Sequence, residues 1–219
     1  MPSSSVSVRR SNRVWRFVLL AIAIACGTTP GADVIDRVLA TVEGRVITLS
    51  DVRIVRTLGL VAVPAGADPD KVTLNALIDR LLVLEEVERY APPEPDSGAV
   101  EQRVGAVRAR FASPADYTHA LEQLGTNSLF VTQWARNDLR IASYLDQRFA
   151  GAAEPNDEEL ENYRRQHASE FARSGQQVDE VQLLNDARAR VTSERRQALV
   201  KEWIDGLRAR GEVSLTSSH

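Results

Sequence analysis

The stretch VLATVEGRVITLSDV, Val38–Val52, decides how the fold begins. Its first five residues alternate between two sets with a period of two, which is typical of a strand with two different faces. Glu43-Gly44 supplies a two-residue turn, and the β-branched run Val46–Thr48 continues as a second strand. The segment therefore predicts an antiparallel β-hairpin.

A helix is predicted to follow the hairpin at once. Ser50 stands where an N-cap belongs, and Asp51 lies favourably near the positive end of the helix. Arg53 occupies the position at which a capping box needs Glu, so the sequence predicts only half of that motif.

The apolar spacing is helical over most of the remaining chain. The helix around Leu74–Val87 is apolar on so much of its girth that we expect it to be central, packed on two sides. Another helix is predicted over about 128–149, and a closing helix carries a stripe through Trp203 before Gly211 ends it. The four residues EVSL then have the length of one short strand. The fold class is mainly α with a small antiparallel β element.

The N-terminus reads as a separate segment. Four arginines precede the nine apolar residues of Phe17–Ala25, a pattern typical of a secretory signal and too short to span a bilayer permanently. We expect residues 1–31 to be a signal peptide or a lipoprotein leader. Two cleavage schemes stay open: lipidation at Cys26, which would tether the protein to a membrane, or cleavage beyond it, near Gly31 or Ala32.

The charge balance argues against nucleic-acid binding. Removing residues 1–31 takes away four of the 27 basic residues and none of the 30 acidic ones, leaving 23 against 30 and a net charge of −7. An acidic chain without a basic stripe lacks the usual footprint of a nucleic-acid partner. No later segment is apolar enough to span a membrane, so we expect a soluble product outside the cytoplasm, bound to a membrane only if Cys26 is lipidated.

The sequence offers little catalytic chemistry. His119, His167 and His219 are scattered without metal-ligand spacing, and there is no pair of cysteines. Neither a nucleophile elbow, nor a phosphate-binding loop, nor a dinucleotide fingerprint occurs. We expect no catalytic residue, no metal and no cofactor.

Two sets of apolar residues are candidates for binding polypeptide. One set lies in a loop rich in Pro and Gly, where apolar side chains can be partly exposed and mark a binding site. The other lies on the helix predicted over about 128–149, and plain core packing is the alternative for both sets. The candidates are Leu58, Leu60, Val61, Val63, Phe130 and Trp134.

Several stretches resemble the SurA-type periplasmic chaperones. VLATVEGRVITLSDV followed by LNALIDRLLVLEEVERYA is similar to their N-terminal hairpin and helix, which typically begin V-N-G-x-x-I-T-x-x-D; this chain has Glu43 in place of the Asn. PNDEELENYRRQHASEF resembles the segment that leads into their parvulin prolyl-isomerase domain. VDEVQLLNDARARVTSERRQALVKEWIDGLRARGEVSL resembles the closing helix and strand that return after it.

The resemblance implies a single core over residues 32–215, with residues 216–219 a disordered tail. A parvulin domain would stand at residues 172–177, and six residues cannot hold one. In the family the last strand pairs with the N-terminal hairpin, a part that falls here to Val213–Leu215. We further expect Phe171 and Val181 to lie close together, with the loop between them exposed.

The implied function is an ATP-independent periplasmic chaperone that binds extended or unfolded polypeptides. The resemblance suggests precursors of outer-membrane proteins as clients and the outer-membrane assembly machinery as a partner, with no isomerase activity. Two alternatives stay open: an exported adaptor or structural protein with one dedicated partner, lipid-anchored if Cys26 is modified, and a degenerate prolyl isomerase.

Overall fold

The computed structural model describes residues 36–166 and 180–216, apart from the side chains of Ala153, Glu180, Val181, Leu183 and Leu184. These residues belong to one compact unit that begins at Asp36. The elements are β1 (Val38–Val42), β2 (Arg45–Thr48), α1 (Leu49–Thr57), α2 (Pro69–Tyr90), α3 (Ser97–Arg108), α4 (Pro114–Gln123), α5 (Ser128–Phe149), a short 3-10 turn (Gly151–Ala153), α6 (Asp157–Gln166), α7 (Glu180–Arg210) and β3 (Val213–Leu215).

The fold is mainly α with a small antiparallel sheet, as the sequence predicts. The hairpin turns at Glu43-Gly44, and both of these residues have positive φ, 48° and 75°. Gly adopts that conformation without steric cost, whereas Glu43 does so only because the tight turn demands it.

The predicted helix cap is wrong by two residues. Helix α1 begins at Leu49, and its N-cap is Thr48 rather than Ser50. The Thr48 N–H donates to Oδ2 of Asp51 at 2.8 Å, and the Asp51 N–H donates to Oγ1 of Thr48 at 3.2 Å. These two bonds form a complete capping box, in which Asp51 takes the acidic position.

The sheet joins the two ends of the described chain. Its strand order is β2-β1-β3, so the last strand lies beside the first, and both neighbours of β1 are antiparallel to it. Thr41 lies opposite Ser214, and the Glu43 N–H donates to the Glu212 carbonyl at 2.9 Å. The strand Val213–Leu215 therefore takes the place that the resemblance implies for it.

Helix α2 lies at the centre of the core. Its buried residues face more than one side, as expected for a helix packed between layers. Two neighbouring residues fix its partners: Arg80 pairs with Asp138 on α5, and Asp79 accepts from Nε of Arg208 on α7. The Arg80 guanidinium also lies 3.7 Å from the ring centroid of Trp134. Partly buried pairs of this kind set the position of both neighbouring helices on α2.

The core consists of two apolar clusters. The larger one joins the sheet, α2 and the ends of α5 and α7, and includes Ala40, Ile78 and Leu207. The smaller one joins α1, α3, α4 and the first turns of α5, and includes Val104 and Val131.

Helices α6 and α7 pack against each other. Arg195 of α7 pairs with Glu159 of α6 and donates to the Glu154 carbonyl at 3.0 Å. Residues 167–179 lie outside the described residues, so the expected proximity of Phe171 and Val181 stays a prediction.

Gly211 provides a test of the closing turn between α7 and β3. A Cβ at this position would lie 2.8 Å from Cδ2 of Leu82 and 3.0 Å from the Leu207 carbonyl oxygen. We expect Gly211→Ala to lower the free energy of unfolding by about 1–3 kcal/mol, the usual range for overpacking. Gly105→Ala is the control, since its Cβ would meet open space and a helix favours Ala by about 0.5–1 kcal/mol. Urea denaturation measures both, and equal effects would contradict the close approach.

Asp36 provides a pH-dependent test of the start of the fold. Hydrogen bonds from Thr48 and Ser50 to its carboxylate lower its pKa below 3.8. Its contribution to stability is therefore complete above pH 3.8 and is lost as the pH falls through the lower pKa of the folded state. We expect Asp36→Asn to be less stable than the unmodified protein near neutral pH and to match it at about pH 2. Urea midpoints across this pH range measure the difference, and a difference independent of pH would count against these hydrogen bonds.

Candidate functional site

The loop after α1 places its apolar residues at different depths. Leu58 is 1% exposed and packs inside the smaller cluster, so it offers no surface to a ligand in this conformation. Gly59, with φ of 62°, reverses the chain, and Leu60 and Val61 then lie half-buried against the larger cluster. Val63 follows with 37% of its surface exposed.

The first turns of α5 supply the other half of the candidate surface. Asn127 caps the helix by accepting from the Leu129 N–H at 3.0 Å. Phe130 and Trp134 follow on one face, with ring centroids 6.1 Å apart. The Arg80 guanidinium covers one side of the Trp134 ring, and both aromatic side chains remain half-buried.

The structure brings four predicted residues to one part of the core. Leu60 and Phe130 each pack against both clusters, so they lie where the clusters meet. Val61 and Trp134 pack beside them against the larger cluster. We call this set the boundary surface: Leu60, Val61, Phe130 and Trp134.

Two exposed apolar residues adjoin the boundary surface in sequence. One is Val63, and the other is Leu129, which is 61% exposed in the first turn of α5. Leu129 was not predicted from the sequence, because it lies outside the apolar stripe of the helix. A leucine outside that stripe is the sequence signal that could have identified it. Half-buried apolar residues flanked by exposed ones form the type of surface that binds other polypeptides.

A cavity at the corner between α3 and α4 reaches the same helix. It has a volume of about 650 Å³ and is lined by Phe111, Tyr117 and, at the start of α5, Ser128. The Phe111 and Tyr117 rings meet edge to face with centroids 5.4 Å apart. The cavity thus places aromatic side chains beside Ser128, the first residue of α5.

A groove along the closing helix was also missed by the sequence reasoning. It has a volume of about 640 Å³, and its apolar floor is made by Leu145, Val200 and Ile204. Its rim carries three pairs of opposite charge, Arg196–Asp146, Arg208–Asp79 and Lys201–Asp205. The Asp205 carboxylate raises the pKa of Lys201. Because the rim carries charges of both signs, it gives no electrostatic preference for an anionic or a cationic ligand.

The chemistry of the described residues can be stated briefly. Burial lowers the pKa of Arg80, and Asp138 opposes that shift. Residues 36–166 and 180–216 hold no group of three or more His, Cys, Asp or Glu side chains placed to bind a metal ion. Nor does this part of the chain include a helix with the length and apolarity needed to cross a bilayer. Cys26, His167 and His219 lie outside it.

No protein-family model matches the chain, and no curated protein matches it.

Proposed function

We propose that this protein is an ATP-independent chaperone that binds extended or unfolded segments of other polypeptides. The observation that carries the proposal is the boundary surface, whose half-buried aromatic and aliphatic side chains are followed or preceded in sequence by the exposed Val63 and Leu129. An apolar segment of a client would cover these side chains and remove their remaining surface from water, at about 25 cal/mol per Å².

The connectivity also supports the proposal. A hairpin, a central apolar helix and a closing helix whose strand returns to the hairpin occur here in the order typical of the SurA-type chaperones. That resemblance supports export to the periplasm and clients among outer-membrane protein precursors. With only six residues at positions 172–177, we propose that the protein acts without isomerase activity.

The proposed mechanism is capture and release at equilibrium. An unfolded client loses conformational entropy when part of it becomes ordered, so each contact gives only weak net binding. Weak binding lets the client leave without hydrolysis of a nucleotide. The only Met in the chain is Met1, so the surface lacks the flexible side chain that highly promiscuous binders use. We therefore expect a narrower client range than a Met-rich surface would give.

Suppression of aggregation tests the proposal. The substrates are two unrelated proteins, heat-unfolded citrate synthase and reduced insulin, and light scattering is followed without ATP. We expect the protein to suppress aggregation of both. The double variant Val63→Thr with Leu129→Gln loses apolar contact area. We expect the concentration of this variant that halves the aggregation to be at least about threefold higher than that of the unmodified protein.

The control replaces two residues of similar exposure elsewhere, Val46→Thr with Tyr90→Gln, which are 52% and 64% exposed. We expect this variant to act like the unmodified protein. If both double variants lost the same share of their activity against aggregation, the boundary surface would not be the site that binds clients. No suppression of either substrate by the unmodified protein would overturn the chaperone proposal and favour an adaptor with one dedicated partner.

A further inference from the structure

The register of the last strand leaves an open edge of the sheet. The Glu43 N–H donates to the Glu212 carbonyl, and the Thr216 N–H donates to the Leu39 carbonyl at 3.0 Å. In antiparallel pairs the bonding direction alternates along the strand, so residues 212, 214 and 216 point their backbone groups toward β1. Val213 and Leu215 point theirs to the opposite side, where no described residue forms a further strand.

The other edge of the sheet is shorter, because Val46 is the one residue within β2 that turns both backbone groups outward before Thr48. Strand β2 runs directly into α1, and the Thr48 N–H is occupied by the Asp51 carboxylate of the capping box. Arg45, at the start of β2, holds its side chain against Glu88 of α2 at 3.0 Å. The first helix thus ends the pairing surface of β2, and the edge of β3 has no such cover among the described residues.

Strand β3 also lacks most of the devices that protect an edge. It contains neither a charged residue nor a proline, and the Leu215 side chain is 65% exposed. Natural edge strands usually carry lysine, proline or a bulge, or are very short. Only the short length applies here. Backbone N–H and C=O groups two residues apart are satisfied by water or by another extended backbone.

We propose that the free edge of β3 binds an extended segment of a client by β-strand addition, through the backbone groups of Val213 and Leu215. The inference rests on the proposed chaperone function and names a second contact that is independent of client sequence. Main-chain hydrogen bonds do not depend on the side chains of the client, so this contact suits a protein that binds unfolded chains of different sequence.

The small size of the edge decides between a client and a second copy of this chain. A stable dimer interface buries more than about 1,000 Å². Two outward-facing residues provide about four hydrogen bonds and far less area. Such an edge does not hold a dimer together, whereas it can add to weak capture of a segment that is bound elsewhere on the surface.

A proline substitution tests the edge without touching the closed side of the strand. Leu215→Pro removes an N–H that points away from β1, and proline is tolerated at such edge positions. The probe is reduced, carboxymethylated α-lactalbumin, which stays unfolded in buffer, and its affinity is measured by fluorescence anisotropy. We expect Leu215→Pro to keep its thermal stability and to bind at least about threefold more weakly, the effect of one hydrogen bond and a blocked edge.

Leu215→Thr is the matched control, because it removes the same apolar side chain and keeps the N–H. We expect its affinity to stay within about twofold of the unmodified protein. An equal loss in both variants would assign the contact to the side chain and overturn strand addition. A change in oligomeric state by sedimentation velocity, with probe affinity unaltered, would assign the edge to a second copy and overturn the proposal as well.

The two proposals fail separately. If the unmodified protein does not bind the probe, the chaperone function fails. If it binds the probe and Leu215→Pro binds equally well, only strand addition fails. Should Leu215→Pro not fold, amide exchange of the unmodified protein decides: slower exchange of the Val213 and Leu215 N–H groups on adding the probe supports the edge, and unchanged exchange overturns it.

Discussion

The structure depends on the pairing of its last strand with its first. Strand β1 lies between β2 and β3, so the buried Ala40 and Val42 receive neighbours on both sides only when residues 213–215 return. The same return brings Leu207 into the larger cluster and Arg208 to Asp79 of α2. Contacts between residues more than 120 positions apart thus close one core, and loop-closure entropy must be overcome before any of them forms.

This closure also explains where the candidate surfaces lie. Helix α2 is enclosed by the sheet, α5 and α7, and α1 of the smaller cluster packs against its side, while α3 packs against α5. The two clusters meet at Leu60 and Phe130, which are held in place by both and still keep part of their surface in contact with water. These two residues are therefore held by contacts on both sides, and they keep an apolar surface that the proposed binding of unfolded segments would use.

Much of the architecture could be read from local patterns. The hairpin at Glu43-Gly44, the helix over Ser128–Phe149 and the strand after Gly211 follow from period, turn and cap signals. The cap at Thr48 was missed because Thr48 also continues the β-branched run of the second strand, so the prediction placed the cap at Ser50. Asp51 stands three residues after Thr48, where a capping box has its acidic residue.

The candidate site was only partly predictable, because burial in a loop depends on distant contacts. Leu58 and Leu60 look alike in sequence, yet Gly59 reverses the chain between them. Arg110, just after α3, donates to the Leu58 carbonyl at 3.1 Å. That bond joins residues 52 positions apart, a contact that local spacing cannot show. The groove on α7 escaped prediction for the same reason, since Leu145 of α5 completes its floor.

Amide hydrogen exchange of the intact protein tests the closure most directly. We predict that the N–H groups of Glu43 and Thr216, which bridge β1 and β3, exchange only through global unfolding, with the same free energy as the most protected amides of α2. Exchange of Glu43 and Thr216 at a much lower free energy, while α2 stays protected, would show that the strand opens on its own. That result would contradict the claim that the return of β3 holds the core together.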